Sequence, residues 1–219
     1  MLKLLLKFII GVLAIPVAYA VTKAFYINFI LIKEVAVHLN YFVWGLVVYV
    51  ILHLLFYKPA YLYVLGHEAV HAGMAWILGG KIKSFKVSKE GGQVGTTKSN
   101  FIIELAPYFI PIYAIIVTLA YFVVSKSYPG TNGSIFLFLI GFTLAFHIIS
   151  TVEIMKIKQP DIVKSGYIFS IAIVYIINII VISLIFGLTF EGFAINKFFL
   201  DLWSGSRFIY AAVVRQLFF

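Results

Sequence analysis

Tyr63-Val64-Leu65-Gly66-His67-Glu68-Ala69-Val70-His71-Ala72-Gly73-Met74-Ala75-Trp76 places two imidazoles four residues apart, with a carboxylate beside the first, inside an otherwise apolar segment. Four residues is one helical turn, so His67 and His71 share a face if the segment is a helix. Two neutral ring nitrogens aimed at one point can hold a zinc ion at about 2.0–2.1 Å, and Glu68, rotated off their line, can reach a water on the open position. That layout suits metal-assisted hydrolysis. The competing reading is a helix with two core histidines. It requires His, Glu and His to fall in register by chance in an apolar run.

The surrounding chain sets the fold class. Of its 219 residues 63% are hydrophobic and only 11% charged, and the mean hydropathy of +1.07 exceeds what a water-soluble globule of this size tolerates. Apolar runs near the 20 residues needed to cross a bilayer lie at Leu4 to Val21, Val35 to Tyr57, Phe101 to Val124, Ser134 to Met155 and Ser165 to Thr189. The segment Ala60 to Gly79 around the histidines is a sixth. Backbone groups without water must pair within their own segment, and the alternating pattern of a barrel is absent. The expectation is therefore an all-α integral membrane protein, a polytopic bundle of about six transmembrane helices.

Three sections are expected: residues 1–59 as N-terminal transmembrane helices, 60–190 as the core with the His67 helix, and 191–219 as an amphipathic, interfacial segment. The first run follows Lys3 and Lys7 and reads as a retained helix, which residues 22–34 connect onward or prolong. The absence of cysteine removes disulfides and thiolate ligands, so His, Asp or Glu must hold any metal. The net charge of +9 lies in short segments between spans, which speaks for topology and against nucleic acid as a partner. Lys81, Lys83, Lys86, Lys89 and Lys98 fall in one connector, and Lys156, Lys158 and Lys164 return to the same side two spans later. That side is expected to be cytoplasmic, with the site opening toward it.

After the His67 helix, Lys81 to Val87 and Gln93 to Lys98 flank Gly91-Gly92, which predicts a short β-hairpin. Its edge could pair with an extended peptide. Pro107 and Pro111 imply a kink in the span from Phe101. Thr143, His147, Ser150 and Thr151 form a polar stripe on the span from Ser134, and with Glu153 they are candidates to support the site or meet substrate, as is Pro107. His38 and His53 share no helical face with each other and receive no role.

Residues 66 to 88 resemble the catalytic segment of the site-2 protease family of intramembrane zinc metalloproteases. There the HExxH is followed by a small-residue helix end, a glycine, a basic residue and a Phe-containing strand, matched by Gly79-Gly80-Lys81 and Ser84-Phe85-Lys86-Val87-Ser88. The family's second motif, Asn-Pro-Asp-Gly, is similar at its centre to Gln159-Pro160-Asp161-Ile162. The resemblance covers roughly Ala60 to Asn178. It implies a zinc-dependent endopeptidase with one Zn2+ per chain, held by His67, His71 and Asp161, with Glu68 as general base. The substrate would be a transmembrane or membrane-proximal peptide. A third ligand is needed from another helix, and Asp161 is expected over Glu104, Glu153 and His147. Other readings are a membrane-bound zinc protease for small soluble peptides and a non-catalytic metal-binding scaffold or transporter with a vestigial HExxH.

Overall fold

A computed structural model describes residues 2–32, 36–56, 58–128, 133–157 and 159–218, without the side chains of residues 3 and 36–38. Parts of the expected connectors around Lys33 and Glu34, Pro129 to Asn132 and Lys158 therefore lie outside the described residues, as does the His38 side chain. The described chain is mostly helical, with one two-stranded antiparallel sheet. It divides into two compact units, Ala36–Ile162 and Met1–Val35 with Val163–Phe219.

Among the described residues, three helices are long and apolar enough to cross a membrane: Leu4–Ile30, Ser134–Met155 and Tyr167–Thr189. The other runs expected to span depart from that standard for separate physical reasons. The described apolar part of the second run is the shorter Leu39–Leu55. The helix that carries His67 holds three strongly polar side chains. The run from Phe101 is bent by 73° into Phe101–Tyr108 and Ile112–Ser127, which together count as a fourth span if they cross as one.

The Ala36–Ile162 unit contains the His67 helix. Helices α3 (Ala36–Leu55) and α7 (Ser134–Met155) pack along each other. Their backbones approach at Gly45 and Gly141, where an added Cβ would meet Phe138 O at 2.0 Å and Phe42 O at 2.1 Å. Tyr49, Ala145 and Phe146 form the core beside that crossing, with Tyr63 and Tyr113 packed against it. Helix α4 (Ala60–Ile77) starts after Pro59 and is followed, past its cap at Leu78, by Gly79, whose φ of +77° suits a residue without Cβ. There the Gly79 and Gly80 amides donate to the Trp76 and Ala75 carbonyls, and Lys98 Nζ donates to Leu78 O at 2.9 Å.

The hairpin, β1 (Ile82–Val87) and β2 (Gly92–Thr96), folds back along α4. Phe85 pairs with Val94 and Val87 with Gly92, and the register shifts between Ile82 and Ser84. Next come α5 (Phe101–Leu105), a 3-10 turn (Ala106–Tyr108) and α6 (Ile112–Ser127). Asn100 caps α5 by accepting from the Ile103 amide at 2.9 Å. Pro107 and Pro111 then break the helix instead of merely kinking it, because each removes a backbone donor and their joint effect falls within one turn. Helix α8 (Pro160–Ser165) begins at the end of this unit.

In the other unit, α1 (Leu2–Leu13) and α2 (Ile15–Ile30) pack on α9 (Tyr167–Thr189), so residues 22–30 prolong the first helix. Phe25, Phe29, Phe186, Phe193 and Phe198 form a connected set of ring contacts, with Phe25 edge-on to Phe186 at 5.6 Å. Helix α10 (Ile195–Phe218) runs back along α2: Asn28 donates to Asp201 Oδ2 at 2.9 Å, and the Tyr210 hydroxyl donates to the Leu13 carbonyl.

Candidate metal centre

Helix α4 presents His67 and His71 one turn apart, and the ring Nε2 atoms lie 3.1 Å from each other. The remaining ring nitrogens are both engaged. His71 Nδ1 donates to the Ile103 carbonyl at 2.8 Å, and His67 Nδ1 lies 3.2 Å from the Tyr63 hydroxyl. A hydrogen on His71 Nδ1 fixes the tautomer that leaves Nε2 as a lone pair, as a metal ligand requires. Tyr63 can accept from His67 Nδ1 to the same effect. The Ile103 carbonyl sits in the first turn after the Asn100 cap, so the break at Pro107 and Pro111 helps to place an acceptor beside His71.

Asp161 approaches from the short helix α8, with Oδ2 at 3.6 Å from His71 Nε2. Ligand atoms of His67, His71 and Asp161 all lie within 4.8 Å of one another, and this group could hold a metal ion. A tetrahedral ion about 2.0–2.1 Å from its ligands sets ligand-to-ligand separations of about 3.4 Å. The observed 3.1 and 3.6 Å bracket that value. Two imidazoles and one carboxylate also match the hard-to-borderline donors that zinc accepts, and three protein ligands leave one position open.

Glu68 is buried on the neighbouring face of α4, beneath β2. Gly92 makes this approach possible: a Cβ there would lie 2.5 Å from Glu68 Cγ and 2.7 Å from Val64 Cγ1. The Val94 backbone amide donates to the Glu68 carboxylate, and Glu68 is within electrostatic reach of both His71 and Asp161. One carboxylate thus stands beside, and outside, the group that could hold a metal ion.

No family model, curated protein or solved structure matches this chain.

The other residues singled out in the sequence divide between the site and elsewhere. Pro107 and His147 line a small cavity with Tyr63, Gly66, His67 and Tyr113, holding about 20 Å³ of free space, enough for about one water. Ser150 and Thr151 are buried on α7, on the helix that packs against α3. Glu153 is at the end of α7 in a separate ion cluster, 2.5 Å from Lys58 Nζ and 3.2 Å from His53 Nε2. Glu104 is buried and accepts from Ser99 Oγ at 2.7 Å, an interaction local to the α5 cap.

Three features around the histidines escaped the sequence reading. Tyr63 lies four residues before His67, a spacing that could have nominated it. Tyr108 is fully buried with its ring edge-on to His67 at 5.2 Å, and its adjacency to Pro107 was the only available signal. The contact of Gly92 with Glu68 depends on the hairpin folding back, which no local pattern in the sequence specifies.

Proposed function

We propose that this chain is a zinc-dependent intramembrane endopeptidase, similar to the site-2 protease family, that hydrolyses peptide bonds within or next to the bilayer. The observation that supports this reading most is the convergence of His67, His71 and Asp161 within 4.8 Å of one another, the two separations from His71 being near-tetrahedral, with Glu68 buried alongside but outside that triad. A zinc ion bound there would polarise a water and lower its pKa toward neutrality. Glu68 takes the water's proton as general base and returns it to the leaving amine. The Val94 amide orients the Glu68 carboxylate, and Tyr63 and the Ile103 carbonyl hold the two imidazoles in their ligand tautomers.

In this reading α3, α4 and the bent α5–α6 pair join the three long apolar helices, giving about six spans. The hairpin then reaches membrane depth beside α4. Non-helical backbone at that depth is tolerated where it lines a wet cavity, which is also what a hydrolase needs. A stretch of substrate could add to the hairpin as an extended strand, exposing its peptide bond to Glu68. The lysine-rich connectors support an opening toward the cytoplasmic side.

The test uses purified full-length protein in lipid vesicles, with a transmembrane peptide and a soluble peptide as substrates. The transmembrane peptide should be cleaved, cleavage should stop on chelation and return with zinc, and Glu68→Gln should lower it at least about 100-fold while retaining zinc. Cleavage of only the soluble peptide would replace the substrate assignment, and near-normal turnover by Glu68→Gln would remove the general base.

A further inference from the structure

A second cleft lies between α2 and α10, within the other unit, and the metal reading does not use it. Its volume is about 290 Å³, and its lining includes Tyr19, Lys23, Ile27, Asp201, Ser204 and Phe208. Two residues of opposite charge therefore share a cleft whose remaining walls are largely apolar. They do not pair with each other. Lys23 makes no hydrogen bond or ion pair among the described residues. The Asp201 carboxylate engages its neighbours through Oδ2 alone, accepting from buried Asn28 at 2.9 Å and facing Lys197 Nζ at 3.5 Å. Its Oδ1 carries no hydrogen bond or ion pair among the described residues.

Depth gives the cleft its meaning. Lys23 belongs to the apolar helix Leu4–Ile30, and at 1.5 Å per residue it stands about 30 Å from Leu4, the thickness of bilayer hydrocarbon. The lysine ammonium thus falls at the headgroup level of one leaflet, where exposed Tyr19, Tyr26 and Trp203 supply the amphipathic rings typical of that boundary. A cation and an anion held apart across a cleft suit a zwitterion. A phosphate would meet Lys23 and the Ser204 hydroxyl, which here donates to the Asp201 carbonyl at 3.2 Å, and a primary ammonium would donate to Asp201 Oδ1, while an acyl chain follows Ala20 and Phe208 toward the Leu4 side.

We propose that this cleft binds an aminophospholipid of the phosphatidylethanolamine type. Discrimination would rest on Asp201: ethanolamine's ammonium has three N–H donors for the carboxylate, whereas choline's quaternary nitrogen has none, and glycerol brings no positive charge. Lys23 would supply affinity for the phosphate common to all three headgroups.

Native mass spectrometry of the full-length protein, offered phosphatidylethanolamine, phosphatidylcholine and phosphatidylglycerol of matched chains, tests the assignment. Retention of the ethanolamine lipid should exceed that of the other two at least about five-fold. Lys23→Met, a change at an exposed position, should lower retention of all three, while Lys126→Met should lower none. Asp201→Asn keeps an oxygen for Asn28 and should abolish only the preference for ethanolamine. Equal retention of the three lipids overturns the proposal, as does an ethanolamine preference that survives Asp201→Asn or a loss with Lys126→Met matching that with Lys23→Met.

Discussion

Two clusters in the Ala36–Ile162 unit combine histidine with a carboxylate, yet their chemistry differs. At the end of α7, Glu153 meets one imidazole, His53, and one ammonium, Lys58, which is largely exposed. The ammonium and the imidazole both sit on the same oxygen, Oε1, and among the described residues no second imidazole converges there, so this is an ordinary ion pair at the edge of the fold, worth under about 1 kcal/mol. Around α4, two imidazoles face one carboxylate with their other nitrogens tied to Tyr63 and Ile103. Their converging lone pairs and negative charge suit a cation. Residue types alone do not separate the clusters. What separates them is the number of converging ligand atoms and whether a lysine already occupies the oxygen a metal would use.

Substitutions can break this contrast. The largest effect is expected for His71→Ala, which removes the ligand central to both short separations. Purified protein should lose stoichiometric zinc and all measurable hydrolysis, while the corresponding His53→Ala keeps both. Zinc retained at wild-type affinity in His71→Ala would place the metal elsewhere.

Asp161→Ala and Glu153→Ala form the sharper pair because each deletes one carboxylate near one histidine. Metal titration should show zinc affinity lowered at least about 100-fold for Asp161→Ala and unchanged for Glu153→Ala. The reverse ranking would transfer the third ligand to α7. A smaller change is expected for Tyr63→Phe, which leaves every ligand in place and frees only His67 Nδ1. Outer partners of metal ligands typically contribute about 10- to 100-fold in affinity, so a loss near the lower end is predicted from the same titration. An affinity equal to that of the unaltered chain would make Tyr63 a packing residue.

Which parts were legible in the sequence follows from the range of the forces involved. The His67 helix is local: apolar context, a proline before it, a glycine after it and a four-residue repeat were all visible in one segment, and α4 runs Ala60–Ile77. The hairpin was legible for the same reason, since the glycines between β-branched runs announce it. The strict break at Pro107 and Pro111 was harder to read. Either proline alone would kink a membrane helix, and the 73° bend arises from both together with the 3-10 turn between them.

Long-range relations divided more sharply. Asp161 beside His71 was anticipated through a degenerate motif and a proline-opened turn, not through periodicity. Glu153 is another carboxylate only eight residues earlier, at the end of α7, but Lys58 from before α4 captures it, and such a pairing across 95 residues leaves no mark on local sequence. Span counting ran into a related difficulty. Polar side chains lower the hydropathy of the helix that bears them, so α4 falls short of a spanning helix through the turn that carries His67, Glu68 and His71.

X-ray absorption at the zinc edge of the purified, zinc-loaded protein tests the central claim most directly. The account predicts four-coordinate zinc with two imidazole nitrogens and two oxygens at about 2.0–2.1 Å, and loss of one oxygen contribution from Asp161 in Asp161→Ala. A six-coordinate oxygen-rich spectrum, or one unchanged in both His71→Ala and Asp161→Ala, would contradict it.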